Sequence, residues 1–306
     1  MRIVSYDELR DPRDFLELME ACFGEISVPE HPDLLQRHDE RRKHEFGFGV
    51  YRGKTLASFI GVAELKVRTR SGKTESALGI HHVATHPAFA RQGLCRRLFD
   101  FVHDRYCKEG RRFSFLYTSR SLVARSLYCE LGYKEILMSG TRAPRALLIL
   151  PPTRKRPERN RTRIADLAVA ERLFAEATAG EYGFVVRPHG WVLSRLKQWK
   201  MKTDYVFIDR DGYAFTNPDR FGRYIEEFIC RNRTAYVRLL NRIIAATRGG
   251  LVHYYVRDPI LGAIYKERGA RFRYETYASL MVKPLTRASF PSVFGPRLFQ
   301  SPVDQF

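Results

Sequence analysis

The stretch Val83-Ala84-Thr85-His86-Pro87-Ala88-Phe89-Ala90-Arg91-Gln92-Gly93-Leu94-Cys95-Arg96-Arg97-Leu98 joins an apolar run to an amphipathic one through one glycine flanked by basic and small residues. A strand that ends in a short loop and restarts as a helix presents free backbone N–H groups and a partial positive charge. Such a terminus attracts phosphate. Gly93 lets an anion approach the backbone where a β-carbon would intrude. Further along, Ser121-x-x-Ala124-x-x-Leu127-Tyr128-x-x-Leu131-Gly132-Tyr133 carries a phenol, which donates a proton without being charged. Just before the loop stand His81 and His82, side chains that titrate in the useful range. Adjacent strand residues point to opposite faces, so one histidine is expected to face a bound acceptor and the other the core.

The two segments together resemble the GCN5-related N-acetyltransferase (GNAT) superfamily. The first is similar to its acetyl-CoA loop, Arg/Gln-x-x-Gly-x-Gly/Ala; the second to its later motif, Asn-x-x-Ala-x-x-Leu-Tyr-x-x-x-Gly-Phe. Ala90 stands where the family has Arg or Gln, with Arg91 and Gln92 beside it, and Cys95 replaces the second small residue while remaining small. The resemblance implies an α/β fold in which two parallel neighbouring strands part, leaving an open edge, here Val83 to Thr85, for the pantetheine arm. It implies an acetyltransferase in which an amine attacks the thioester of acetyl-CoA directly, with no metal. Carried over residue by residue, Val83, Ala84, Thr85, Arg91, Gln92, Gly93, Leu94, Cys95, Arg96 and Ser121 contact the cofactor, and Tyr128 protonates the leaving thiolate. The family's strand glutamate has no counterpart in Ala77 to Val83, which leaves His81 and His82 as candidate bases and Glu64 further off. Two-domain members such as the enhanced-intracellular-survival acetyltransferases use the C-terminal carboxylate as base, which points here to Phe306.

The elements needed to position these residues follow from the pattern. Arg2 to Ser5 reads as a strand. Asp11-Pro12 opens a helix carrying Phe15, Leu18 and Met19, and residues 30–45 read as a second, charged helix. Strands at 46–51, 55–67 and 76–85 are separated by glycine turns and form hairpins. A helix follows, with Leu94, Leu98, Phe101, Val102 and Tyr106 on one face; then come a strand at 113–117, a helix at 121–131 and strands at 133–138 and 146–150. Paired prolines and clustered charge after Leu150 read as an exposed linker.

Beyond it the elements repeat faintly. At an offset of 137 residues, Tyr265-Lys266-Glu267-Arg268-Gly269 falls on Tyr128-Cys129-Glu130-Leu131-Gly132, with a hairpin around Asp211-Gly212, a strand at 224–229 and a helix at 233–248 upstream. Cys230 falls on Gly93, so the second copy is expected to have lost the phosphate loop. The expected architecture is therefore α/β, a tandem pair of GNAT-like folds, each a mixed twisted sheet flanked by helices, the second degenerate. Residues 1–152 form the acetyl-CoA unit, 153–162 a linker, 163–285 the degenerate unit and 286–306 a tail rich in Pro and Phe.

Composition agrees with an enzyme of this kind. The chain of 306 residues is 44% hydrophobic and 28% charged, enough for real cores and unlike a disordered protein. No apolar stretch approaches the roughly 20 residues of a membrane helix, and the first residues lack a signal-peptide pattern. Five scattered cysteines without a CxxC pair fit reduced thiols, so a cytoplasmic setting is expected. The net charge of +19 draws anions, whether a phosphorylated cofactor or a polyanionic partner. Two other functions fit two such units on a basic surface: a tRNA-dependent aminoacyl transferase, against which the phosphate loop counts, and a catalytically inactive pair that binds nucleic acid or protein. Composition does not identify the acceptor amine, and oligomeric state is equally open.

Overall fold

The computed structural model describes residues 2–24, 31–42, 45–119, 122–136, 145–151, 157–183, 185–219, 222–273 and 278–295. Asp11 accepts a hydrogen bond from Arg13 N at 2.9 Å and, with Pro12 in the first turn, starts α1 (Pro12–Phe23) soon after β1 (Ile3–Ser5). The charged segment then yields α2 (His31–His38), shorter than predicted. The hairpins follow as β2 (Gly47–Arg52), β3 (Thr55–Arg68) and β4 (Thr74–Thr85), and after them α3 (Leu94–Lys108), β5 (Phe113–Ser119), α4 (Ala124–Glu130) and the two-residue β6 (Lys134–Glu135). The second half runs β7 (Arg145–Ile149), α5 (Leu167–Ala177), α6 (Trp191–Gln198), β8 (Val206–Asp209), β9 (Gly212–Asp219), β10 (Gly222–Cys230) and α7 (Arg233–Ala245). It ends with β11 (Gly250–His253), α8 (Pro259–Glu267), β12 (Arg271–Arg273), β13 (Ala278–Pro284) and α9 (Phe290–Phe294). Among the described residues no helix is long and apolar enough to cross a membrane.

The chain divides into two compact units, and their limits correct the expected ones. The first comprises residues 1–136 with 277–296, and the second is built on 137–276. Residues 146–150, expected to close the first sheet, form β7 of the other one. There β7 pairs antiparallel with β11 and β12 and buries Ala146 and Leu148 in the second core. The vacant position beside β5 is filled by β13, antiparallel from Ala278↔Ser119 to Pro284↔Phe113, with Leu280, Met281 and Val282 buried. Each unit thus completes its sheet with a strand from the other half of the sequence.

The expected linker at 153–162 is likewise corrected over its described part. Glu158 N donates to Ala245 O at 2.9 Å, Asn160 Nδ2 to Asp204 O at 2.9 Å and Val206 O at 3.0 Å, and Thr162 Oγ1 to Val206 O at 2.6 Å. These polar side chains satisfy carbonyls of the second unit instead of facing water. The expected tail is partly ordered too. In α9, Phe290 and Phe294 are buried against Phe113 and Phe115, with ring centroids 5.3–6.2 Å apart. Phe299 and Phe306, the proposed terminal base, lie outside the described residues.

The first sheet has the order β1-β2-β3-β4-β5-β13-β6, antiparallel except where β4 meets β5. The second, β12-β7-β11-β10-β9-β8, is antiparallel except where β10 meets β11. In both, a helix follows the first of the two parallel strands. The repeat read from the sequence is therefore a repeat of topology.

Candidate active site

The parallel pairing of β4 with β5 lasts only three residues, from Leu78↔Ser114 to Ile80↔Leu116. β4 then continues through His81, His82, Val83, Ala84 and Thr85 with no strand on its β5 side among the described residues. Unpaired strand edges carry backbone donors and acceptors that an extended ligand can use. The next element is α3, and its N-cap is Gly93 at φ 75°, with no side-chain cap. Arg97 N is the first amide to bond back into the helix, at 3.1 Å to Gly93 O, which leaves the N–H groups of Leu94, Cys95 and Arg96 for a ligand. A β-carbon on Gly93 would meet nothing within 4 Å, so packing does not require the glycine. The positive φ does, and the space in front of it is open. Arg91 shares the left-handed conformation at φ 59°. Arg91 and Arg97 are exposed and enter no ion pair among the described residues, whereas Arg96 pairs with Glu130 at 3.0 Å.

Leu94 and Ala84 are buried and Val83 half-buried, so these three offer backbone, not side chain, to the loop. Cys95 sits one turn position into a regular helix, where any residue fits, which explains how it replaces a glycine. Its thiol hydrogen-bonds with Thr85, and burial pushes its pKa up to about 11, so it stays a thiol at neutral pH. Thr85 Oγ1 in turn lies 2.9 Å from Ser58 Oγ. Ser121 lies outside the described residues.

The histidines do not point to opposite faces. Between Phe59↔Ala84 and Gly61↔His81, two residues of β4 oppose one of β3, and His82 takes φ 45°. This bulge cancels the alternation and turns both rings to the same side, with their Nδ1 atoms 2.5 Å apart. His81 is buried, its Nε2 3.0 Å from Val62 O and 3.3 Å from Arg42 Nε, whose N–H donates to it. The carbonyl asks that nitrogen for a hydrogen and the guanidinium asks it for a lone pair, so either tautomer leaves one of the two contacts unmet. Burial, with the charges of Arg42 and His82, holds the pKa of His81 well below the usual histidine range. His81 is buried, and the half-buried His82 packs on Phe15 and Phe46. Glu64 is engaged by Arg111 at 3.2 Å.

A group that the sequence reading missed stands behind this pair. Asp39 is fully buried and holds Arg41 through two 2.9 Å bonds and Arg42 through a further short one. Burial raises its carboxyl, but the two guanidinium groups outweigh this and hold the pKa down at about 2. The only local signal was Asp-x-Arg-Arg itself. Removing one partner of a buried ion pair strands the other charge, so Asp39→Asn is expected to destabilise the first unit by about 3–5 kcal/mol. A denaturant midpoint indistinguishable from the parent would overturn this.

Tyr128 lies in the core of the first unit, edge-on to Phe99 at 5.9 Å and Tyr133 at 6.1 Å. Burial pushes its phenol above the ordinary tyrosine range, and nearby Cys95 adds to this. No hydrogen bond reaches the Tyr128 hydroxyl among the described residues. Tyr133 differs: its hydroxyl lies 2.5 Å from Ser114 Oγ and 2.9 Å from His103 Nε2, as befits a core residue. The structure therefore brings Thr85, Cys95, Tyr128 and the α3 terminus together where β4 and β5 part.

The second unit repeats the geometry without the chemistry. The N-cap of α7 is Asn232, whose side chain accepts from Ala235 N at 2.9 Å and so occupies the helix terminus itself. Asn232 lies 139 residues beyond Gly93, so the gap-free offset that placed Cys230 there is corrected by two. Tyr265, the counterpart of Tyr128, has its hydroxyl 3.3 Å from His253 Nδ1.

Residues 7–136 match the family model described as an acetyltransferase (GNAT) domain. Solved structures agree in fold. A GCN5-related N-acetyltransferase from Kribbella flavida is 18% identical, with 93% of this chain and 72% of that one covered and a TM-score of 0.66. A probable N-acyltransferase from Enterococcus faecalis is 16% identical over 93% and 72% of the two chains, with a TM-score of 0.67. Eis1 from Mycobacterium abscessus is 14% identical over 93% and 74%, with a TM-score of 0.60. No curated protein gives a significant match. The tandem arrangement read from the sequence is consistent with the Eis-like type.

Proposed function

We propose that the first unit transfers an acetyl group from acetyl-CoA directly to an amine. The observation that carries this reading is the uncapped terminus of α3 beside the parted strands. The residues fit the cofactor: open space before Gly93, three amides without helix partners, exposed Arg91 and Arg97, and the free edge of His81–Thr85. Bound there, acetyl-CoA supplies a thioester-activated acetyl group. The N–H groups of Leu94, Cys95 and Arg96 would hold its pyrophosphate, and the β4 edge its pantetheine amides. His82, whose Nδ1 lies 2.5 Å from His81 Nδ1, takes the proton that the attacking amine must lose, and Tyr128 gives its proton to the sulfur as the C–S bond breaks and the N–C bond forms. The excess of +19 favours phosphate capture by the same loop.

Calorimetric titration with acetyl-CoA tests the reading, together with a Gly93→Glu variant that sets a carboxylate where phosphate would bind. Micromolar binding abolished by the substitution is the expected result, followed by thiol release when amines are screened. Absence of binding to the parent protein would sink the proposal and leave an anion-binding, non-catalytic pair as the better reading.

A further inference from the structure

The second unit holds a cavity of about 150 Å³ where β10 and β11 part, room for about five waters or a ligand of that size. Their parallel pairing ends at Ile225↔His253, while β10 runs on to Cys230. The lining includes Glu226, Glu227, Phe228, Tyr236, Tyr255 and Asp258. The place corresponds to the cofactor site of the first unit, but the helix terminus is capped by Asn232, and Tyr236 accepts a hydrogen bond from the Cys230 amide on the strand edge. A phosphate-and-pantetheine ligand has lost its anchors here. What remains is three carboxylates and several rings, with Arg257 also on the lining.

The charges in the cavity are not equivalent. Glu227 is taken by Arg187 through bonds of 2.8 and 2.6 Å and by the Tyr213 hydroxyl. Asp258 caps α8 through Ile260 N at 2.7 Å and accepts from Tyr236 OH at 2.9 Å. Glu226, extruded by a β-bulge between Ile225 and Glu227, is half-buried and receives no hydrogen bond or ion pair among the described residues. Arg195 feels its charge but binds Gln198 and lies over Trp199 at 5.1 Å, and Arg257 is exposed. A half-buried carboxylate that Arg195 attracts at a distance, but that no hydrogen bond or ion pair engages among the described residues, is set among ring faces as a site for a donor-rich cation.

We infer that this cavity binds a small primary ammonium, its N–H groups donating to Glu226 and its charge lying against the rings of Phe228, Tyr236 and Tyr255. The site is independent of acetyl-CoA, so its test stands apart from that of the acetyltransferase reading. The full chain, without cofactor, is titrated with putrescine by calorimetry, with 1,4-butanediol as the uncharged control. Saturable millimolar or tighter binding of the diamine, none of the diol, and a loss of at least about tenfold in Glu226→Gln are expected. Glu226→Asp, which keeps the charge one methylene back, is expected to retain weakened binding and shows that the loss follows charge and not misfolding. Absence of diamine binding, undiminished binding in Glu226→Gln, or displacement of the diamine by inorganic phosphate would each overturn the assignment.

Discussion

Replacing Tyr128 by phenylalanine is expected to lower kcat by about 10²- to 10⁴-fold, with acetyl-CoA affinity nearly unchanged. The ring packs edge-on against Phe99 and Tyr133, and phenylalanine keeps every one of those contacts. What it removes is a hydroxyl that no described residue engages and that burial keeps protonated. Structural tyrosines here look different: Tyr133 is bound to Ser114 and His103, Tyr236 to Asp258, and Tyr265 to His253. A proton delivered to the leaving sulfur matters only as the C–S bond breaks, so kcat and kcat/KM should fall together. Thiol release measured at saturating acetyl-CoA decides the matter. Parental turnover in Tyr128→Phe would mean the thiolate leaves without help from this phenol, while the fold and cofactor loop would stand.

The same contrast shows which parts of the molecule its sequence displays. Gly93 was legible because one backbone demand, a left-handed residue between strand and helix, admits few residue types. Tyr128 stood out because Ser121-x-x-Ala124-x-x-Leu127-Tyr128 resembles the family's later motif. The order of elements through Glu135 followed from periodicity. The exchange of β7 and β13 did not, because an apolar strand states that it will be buried and not which sheet will bury it. Ala146 and Leu148 alternate just as well in either core, and Leu280-Met281-Val282 carries no mark of its partner β5.

The histidines were misread for a different reason. Alternation holds in a regular strand, and nothing in Ile80-His81-His82-Val83 announces the bulge that sets both rings on one side. That bulge requires His82 to adopt φ 45°, an uncommon conformation for a residue with a β-carbon. The second unit carries its own bulge at the same point of the parallel pair, between Ile225 and Glu227, and extrudes Glu226 there. The topology thus places an ionisable side chain at a bulge of one corresponding strand twice, a histidine in the first unit and a carboxylate in the second. The difference in helix cap separates a site suited to phosphate from one that is not, and Asn232 was hidden from a gap-free alignment by two residues.

Mild acid is expected to unfold the protein through its buried histidines. His81 is held well below the usual histidine range by burial and by Arg42, and His103 is lowered to about 3 by burial and by Lys283, which donates to its Nδ1 at 3.2 Å. Both lie in the first unit. His253, in the second, is lowered to about 3 by burial. For each, the unfolded chain binds a proton between the folded pKa and about 6.5, and the folded chain does not. Stability is therefore complete above about pH 6.5 and falls as the pH drops, by about 1.4 kcal/mol per pH unit for each group. Two histidines give the first unit a slope of about 3 kcal/mol per pH unit, and one gives the second unit half of that. Glu45 and Glu226, whose carboxyls burial raises, work in the opposite sense near the bottom of this range. Asp39, held at about 2, adds its own loss only below about pH 4. Denaturant midpoints at pH 7 and pH 5 measure the effect, and His103→Asn should halve the slope of the first-unit transition. A midpoint that stays level across this interval would show that the histidines gain protons in the folded state, and so that their sites admit water.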